Sequence, residues 1–324
     1  MTEQHPTDVF AEYSDLDVLH LTFFHSKRTA VAKVIDNLVT NLPEVRQKVI
    51  SLSECDLNLS AVLNAVKPKI LHLHYNGPHP ESAFLDELRY QPVMMQTVHS
   101  DNRSIFSDVL DQIICIDEPG RSKNDPSKTI LIEDTVDVSG FPRHRPNGNG
   151  ICNALRFSPD QMEEETFDLF ARIQARVFFY GADDLLSFAP THNQALCDYV
   201  RRYDHISCLP YIPNMEEKMV EHAFLSYYLR HSNPHRAYGL IVMEAASLGM
   251  PIVALRKAQP FQRYIIDGFN GFIADQDEDF IRACERLCQD AGLYAALCAN
   301  AQAHARTLKN CMPESYRRVY HEWL

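Results

Sequence analysis

Short apolar runs alternate along the chain with stretches whose apolar residues recur at helical spacing, the rhythm of parallel β-α-β units. In the first half these runs predict strands at 18–23, 48–52, 70–74, 93–97, 112–116 and 129–132. Helices are expected between them, most clearly at 28–42 and 60–66. Residues 141–150, FPRHRPNGNG, are rich in Pro, Gly and Asn, lack periodicity and read as a linker. The alternation then restarts, with strands expected at 150–154, 177–181, 206–209, 225–229, 252–255 and 271–273. Helices are expected at 160–173, 192–203, 214–222, 240–248, 280–290 and 293–307, and Pro313 opens a last amphipathic helix. Two α/β halves of this kind bind ligands beyond the carboxyl ends of their strands. The expected division is 1–146, 147–307 and a terminal helix at 308–324.

Length supports this division: 324 residues exceed one ordinary core and suit two domains of about 150 each. The chain is 45% hydrophobic and 23% charged, a globular composition, and has no apolar run of 18 residues that would span a membrane. The polar, acidic start MTEQHPTDVFAEYSD does not read as a signal peptide. Nine scattered cysteines read as reduced thiols in a cytoplasmic protein; Cys284 and Cys288, four apart on a helix, read as buried apolar residues. A net charge of −12 argues against a nucleic-acid partner and allows at most peripheral membrane contact. Lys27 with Arg28, and Arg143-His144-Arg145, are the candidate basic patches, and each reads first as a solvated face.

The densest chemistry lies at 232–275. Tyr238-Gly239-Leu240 opens an apolar helix with one carboxylate, Glu244, and Gly249-Met250-Pro251 closes it. A helix N-terminus offers unpaired N–H groups and partial positive charge to a phosphate. A carboxylate one or two turns in can accept hydrogen bonds from a ribose. An exposed helical Glu is the commoner fate, but the apolar neighbours of Glu244 place it on a buried helix, where it needs partners. The combination points to a nucleotide-linked ligand.

The stretch Glu244-Ala-Ala-Ser-Leu-Gly-Met-Pro251 with Asp267-Gly-Phe-Asn-Gly271 resembles the donor region of the glycosyltransferase group 1 family. That resemblance implies an α/β fold of the GT-B type, two Rossmann-like domains facing each other across a cleft, with the last helix crossing back to the first domain. It implies a retaining, metal-independent transfer of a sugar from a nucleotide-sugar donor to a glycan, lipid or protein acceptor, with no cofactor. The Tyr-x-x-x-Tyr of the last helix, Tyr316 and Tyr320, resembles the returning helix. By the same resemblance Glu244 holds the ribose, the amides of Tyr238, Gly239 and Leu240 meet the phosphates, and backbone around Tyr211 and Ile212 meets the base. Arg156 matches a cation that grips the diphosphate, and His99, after the fourth strand, would align the sugar.

The chain departs from the pattern at several places. Arg236 stands where the family has its first Glu, Gln161 where it has a Lys, and Met162 where it has a Gly. Both Gly-Gly loops are missing, replaced by Phe-Phe-His-Ser in the first half and by Lys257-Ala258-Gln259-Pro260 in the second. Glu133, Asp134 and Thr135 replace Pro-Asn-Gly in a stretch read as inter-domain structure. Arg236 is open to two readings, erosion of the site or rewired specificity, the latter including a uronic-acid donor or a grip on the diphosphate. The alternatives to a transferase are an inactive nucleotide-sugar-binding or partner subunit and an epimerase-like enzyme. His72 and His74 share a strand face with His79 near, but no carboxylate completes a metal cluster, and hydrogen-bonded histidines are the simpler reading.

Overall fold

The computed structural model describes residues 15–23, 29–53, 58–74, 83–99, 103–104, 106–146, 148–155, 162–182, 190–228, 239–255 and 263–324. The chain forms two compact units, Met1–Thr135 with Asn310–Leu324, and Val136–Lys309. Each is built on a six-stranded, all-parallel sheet.

In the first unit β1 (Val18–Thr22), β2 (Gln47–Ser51), β3 (Ile70–Leu73), β4 (Val93–Val98), β5 (Gln112–Cys115) and β6 (Thr129–Leu131) lie in the order β2-β1-β3-β4-β5-β6. Buried on both faces, parallel strands favour unbroken apolar runs over alternation, as VLHLT and ILHL show apart from their histidines. Around them run α1 (Ala30–Asn41), α2 (Leu59–Val66), α3 (Ala83–Asp86) and α4 (Glu118–Ser122), and α11 (Met312–Trp323) joins from the C-terminus. Asn58 caps α2 by accepting from the Ala61 amide, and Asp117 caps α4 by accepting from the Gly120 amide. Tyr316 and Tyr320 of α11 are four apart, share one helix face and are fully buried.

At the amino ends of the strands, Asp17 ties three segments together. Its carboxylate accepts from the Arg46 guanidinium and backbone amide ahead of β2, and from Lys69 ahead of β3 at 2.8 Å. The Arg46 hydrogen bond, with Lys69 beside it, holds the Asp17 carboxyl far below the usual carboxylate range. Asp17 is nearly buried, while its two cations are half-exposed, so the pair is worth less than a fully buried one. Asp17→Asn is expected to cost about 2 kcal/mol in urea unfolding at pH 7. That loss should shrink as the pH drops toward the depressed pKa of the wild-type carboxyl, where its ionisation no longer contributes.

In the second unit β7 (Ile151–Ala154), β8 (Val177–Tyr180), β9 (Ile206–Leu209), β10 (Phe224–Tyr227), β11 (Ile252–Leu255) and β12 (Gly271–Ala274) lie in the order β12-β11-β10-β7-β8-β9. The helices are α5 (Glu164–Ala171), α6 (Pro190–Val200), α7 (Met215–Met219), α8 (Leu240–Leu248), α9 (Asp277–Gln289) and α10 (Ala291–Ala305). Phe167, Phe170, Phe179, Tyr228 and Phe280 pack edge to face with ring centroids 4.9–6.0 Å apart, a core between α5, α9 and the sheet. Met162, which replaces a family Gly, is buried. Cys284 is buried as expected, whereas Cys288, near the end of α9, is exposed. The basic run 143–145 is not a continuous patch: His144 is buried and Arg143 donates to the Ser247 carbonyl oxygen.

Candidate functional site

Parallel strands put all their carboxyl ends on one edge, and a ligand crevice opens where the strand order reverses. In the second unit the reversal falls between β7 and β10. Leu155, Tyr228 and Leu255, at the ends of β7, β10 and β11, are therefore lateral neighbours on that edge. Arg156, Gln161, Arg236, Tyr238 and Lys257 lie outside the described residues, as do His79, Lys27 and Arg28. Tyr211 and Ile212 follow β9 on the same edge, half-buried. They stand three strand spacings from β10, about 14 Å at ~4.8 Å each.

Gly239 is the N-cap of α8. A Cβ there would come within 2.8 Å of the Tyr227 ring and hydroxyl, so only glycine lets the helix start so close to buried β10. Gly239→Ala is expected to overpack this contact by about 1–3 kcal/mol, lowering the Tm by roughly 2–10 °C in calorimetry. Helix α8 ends as the sequence requires, with Gly249 left-handed at φ 80° and the Met250 amide donating to the Ala245 carbonyl. Within it Glu244 is 2% exposed, between fully buried Val242 and Ala245. The predicted carboxylate is thus inside, one turn from the helix start.

The other half of the family-like pattern is a structural turn. Gly268 takes φ 72°, the Asp267 carboxylate accepts from the Ile273 amide, and Asn270 bridges Tyr264 and Ile266. A Cβ on Gly271 would collide with the Ile252 carbonyl oxygen at 2.2 Å. These residues set the β11–β12 pairing.

In the first unit the strand order reverses between β1 and β3. Here His20 pairs in register with His72, and His74 follows β3 on the same face. His99 follows β4. The Gln47 side-chain oxygen meets His20 Nε2 at 2.9 Å, and His20 Nδ1 meets His74 Nε2 at 2.9 Å. His74 Nδ1 meets His99 Nε2 at 3.1 Å, and His99 Nδ1 meets an Asp134 carboxylate oxygen at 3.3 Å. His72 stands beside this chain, bonded at 2.8 Å to the Tyr320 hydroxyl and at 2.8 Å to Thr97. Burial holds the His72 pKa well below that of a free imidazole, with the neighbouring His20 and His99 acting in the same direction, so His72 is neutral.

Of the residues proposed from sequence, the structure brings His72, His74 and His99 together. It adds three that sequence reasoning passed over: His20, Gln47 and Asp134. A histidine inside the apolar run VLHLT was the available signal for His20; Asp134, read as inter-domain structure, is buried against His99. His20, His72 and His74 have ring nitrogens close enough to share a metal ion. All six of those nitrogens already have hydrogen-bond partners in the protein, an arrangement of mutually satisfied rings.

None of the curated proteins matches the sequence. Residues 203–304 match the family model described as glycosyl transferases group 1. Among solved structures, Anabaena Alr3699/HepE in complex with UDP and glucose superposes with a TM-score of 0.73 at 13% identity, over 95% of this chain and 100% of that one. Sucrose-phosphate synthase from Thermosynechococcus elongatus gives a TM-score of 0.69 at 14% identity, over 95% and 98%. The pneumococcal O-GlcNAc transferase GtfA in complex with UDP and GlcNAc gives 0.60 at 14%, over 82% of this chain and 59% of that one. Residues 203–304 thus match the glycosyl transferases group 1 model, and nearly the whole chain shares the GT-B fold of these solved structures.

Proposed function

We propose that this protein transfers a sugar from a nucleotide-sugar to a glycan, lipid or protein acceptor, with retention of anomeric configuration and without a metal or cofactor. The observation that carries this reading is Glu244: a buried carboxylate one turn into a helix that starts at the carboxyl edge of the sheet, inside the family-matched segment. Glu244 accepts from the ribose hydroxyls, and the α8 N-terminus with Gly239 and Leu240 faces the phosphates. Tyr238 adds a further amide there. Backbone around Tyr211 and Ile212 receives the base. Arg156 and Arg236 neutralise the departing diphosphate, a task that falls to side chains when no metal takes part. The similar structures that hold UDP or UDP and a sugar make a UDP-sugar the first donor to test.

His99 is the proposed group on the first unit. Both its ring nitrogens are bonded within the protein, so a sugar hydroxyl reaching the ring has to displace one of those bonds. His99 then acts chiefly by its position and its backbone.

Thermal-shift screening against UDP-, GDP- and ADP-sugars tests the reading. One of them is expected to raise the Tm in a dose-dependent way, by about 2.7 kcal/mol of stabilisation at a hundredfold excess over Kd. No shift with any of them would leave a fold without its site. A second reading, an inactive nucleotide-sugar-binding subunit, is favoured by Arg236 in place of a family Glu and by the missing Gly-Gly loops. Donor turnover separates the two.

A further inference from the structure

The chain from Gln47 to Asp134 contains four hydrogen bonds and three imidazole rings. At one end the Gln47 amide nitrogen points at the Leu38 and Leu42 carbonyls, at 3.5 and 3.2 Å, which fixes its oxygen as the group facing His20. At the other end stands a carboxylate, which when ionised only accepts. Both ends therefore accept, and every link needs one hydrogen. Three neutral imidazoles supply three N–H groups; four links need four. Following the donors inward, His20 Nε2–H goes to Gln47, His74 Nε2–H to His20, and His99 Nε2–H to His74. The link to Asp134 then requires a second hydrogen on His99.

We propose that His20, His74, His99 and Asp134 form a proton-holding relay that keeps one hydrogen more than three neutral rings and makes His99 a cation paired with buried Asp134. The surroundings fit a stored internal pair. The Asp134 side chain is 6% exposed, its other oxygen has no hydrogen-bond partner among the described residues, and the His99 side chain is 12% exposed. A buried carboxylate with one free oxygen is costly unless a cation stands beside it. Among the described residues, the groups packed against the relay are neutral: His72 from β3, Thr97 from β4, and the Tyr316 and Tyr320 hydroxyls from α11, with Cys115 of β5 behind Tyr316. Burial raises both tyrosine pKa values, so neither hydroxyl supplies a competing charge. The relay lies at the strand-order reversal of the first unit, where an α/β sheet meets its ligand. Under the proposed transferase reading, on which only this consequence rests, a cationic His99 presents a fixed positive charge to the substrate. Asp134, His74 and His20 act through it as positioning residues.

Asp134→Asn isolates the hydrogen from the fold. An Asn side chain can donate to His99 Nδ1, so the four links close with three neutral rings. Nitrogen-15 NMR of histidine-labelled protein at pH 7.5 reads the protonation of each ring without any substrate. Wild type is expected to show one ring of the relay with both nitrogens protonated, and Asp134→Asn to lose that signal. Because a carboxylate and a proton disappear together, the electrophoretic charge of Asp134→Asn should equal that of wild type. A gain of one positive charge, or three neutral relay rings in wild type, would overturn the proposal. The wild-type spectrum decides the matter even if the variant does not fold. Donor binding is measured separately, so loss of the transferase reading leaves this outcome legible.

Discussion

Glu244→Ala is expected to abolish nucleotide-sugar binding while leaving the protein folded. Two hydrogen bonds from a ribose diol to a carboxylate are together worth about 3–6 kcal/mol, or about 10²–10⁴-fold in affinity. Glu244 is sequestered from water, so its bonds are not diluted by competing solvent. Glu244→Gln keeps an acceptor oxygen at nearly the same volume and loses the charge, and its affinity should fall between the two. Titration calorimetry of the three proteins with the donor found by thermal shift reads the order directly. Equal affinities across the series would remove Glu244 from the site.

Acid lability is the second large effect. His72, His144 and His222 are buried, and burial is the main cause that holds all three pKa values below that of a free imidazole. Their partners explain the preference for the neutral ring. His222 Nδ1 donates to the Asn149 carbonyl and its Nε2 meets the Tyr180 hydroxyl at 2.8 Å. His144 Nε2 donates to the His222 carbonyl, while its Nδ1 is buried with no partner among the described residues. Protonating that nitrogen would bury an unpaired cationic N–H. The unfolded chain takes up protons at these rings as the pH falls below about 6.5, and the folded chain does not until the lower pKa values are reached. Stability is therefore full above that pH and declines below it, by up to about 1.4 kcal/mol per pH unit for each ring. Urea midpoints at pH 7.5, 6.5, 5.5 and 5.0 should fall progressively, and His144→Gln should flatten the decline. A flat profile from 6.5 to 5.0 would contradict neutral burial.

Much of the fold was legible because parallel strands buried on both faces announce themselves as apolar runs. The strands at 206–209 and 252–255 agree to the residue and nine others to within one residue at either end, while the strand expected at 225–229 ends two residues earlier, at Tyr227. Helix ends were harder. Periodicity in α9 begins only at Phe280, yet the helix starts at Asp277 because Asp277, Glu278 and Asp279 complement its N-terminal dipole. Helix α5 starts at Glu164, where Glu163 and Thr166 form a reciprocal cap. The four-residue α3 and five-residue α4 are too short to show a period.

The site divided along the same line. Glu244 stood out as one charge in an apolar helix, a local signal. The relay did not stand out, because its members come from β1, β2 and the segments after β3, β4 and β6. Only the order β2-β1-β3-β4-β5-β6 brings residues 20, 47, 74, 99 and 134 into one line. Asp134 also sits where the family pattern has a residue of another type, in a stretch that reads as inter-domain structure.

Release of free nucleoside diphosphate from the bound nucleotide-sugar by the purified protein tests the central claim most directly. The account predicts slow, acceptor-independent release by wild type that Glu244→Ala eliminates. Tight donor binding with no diphosphate formed, with or without candidate acceptors, would contradict it.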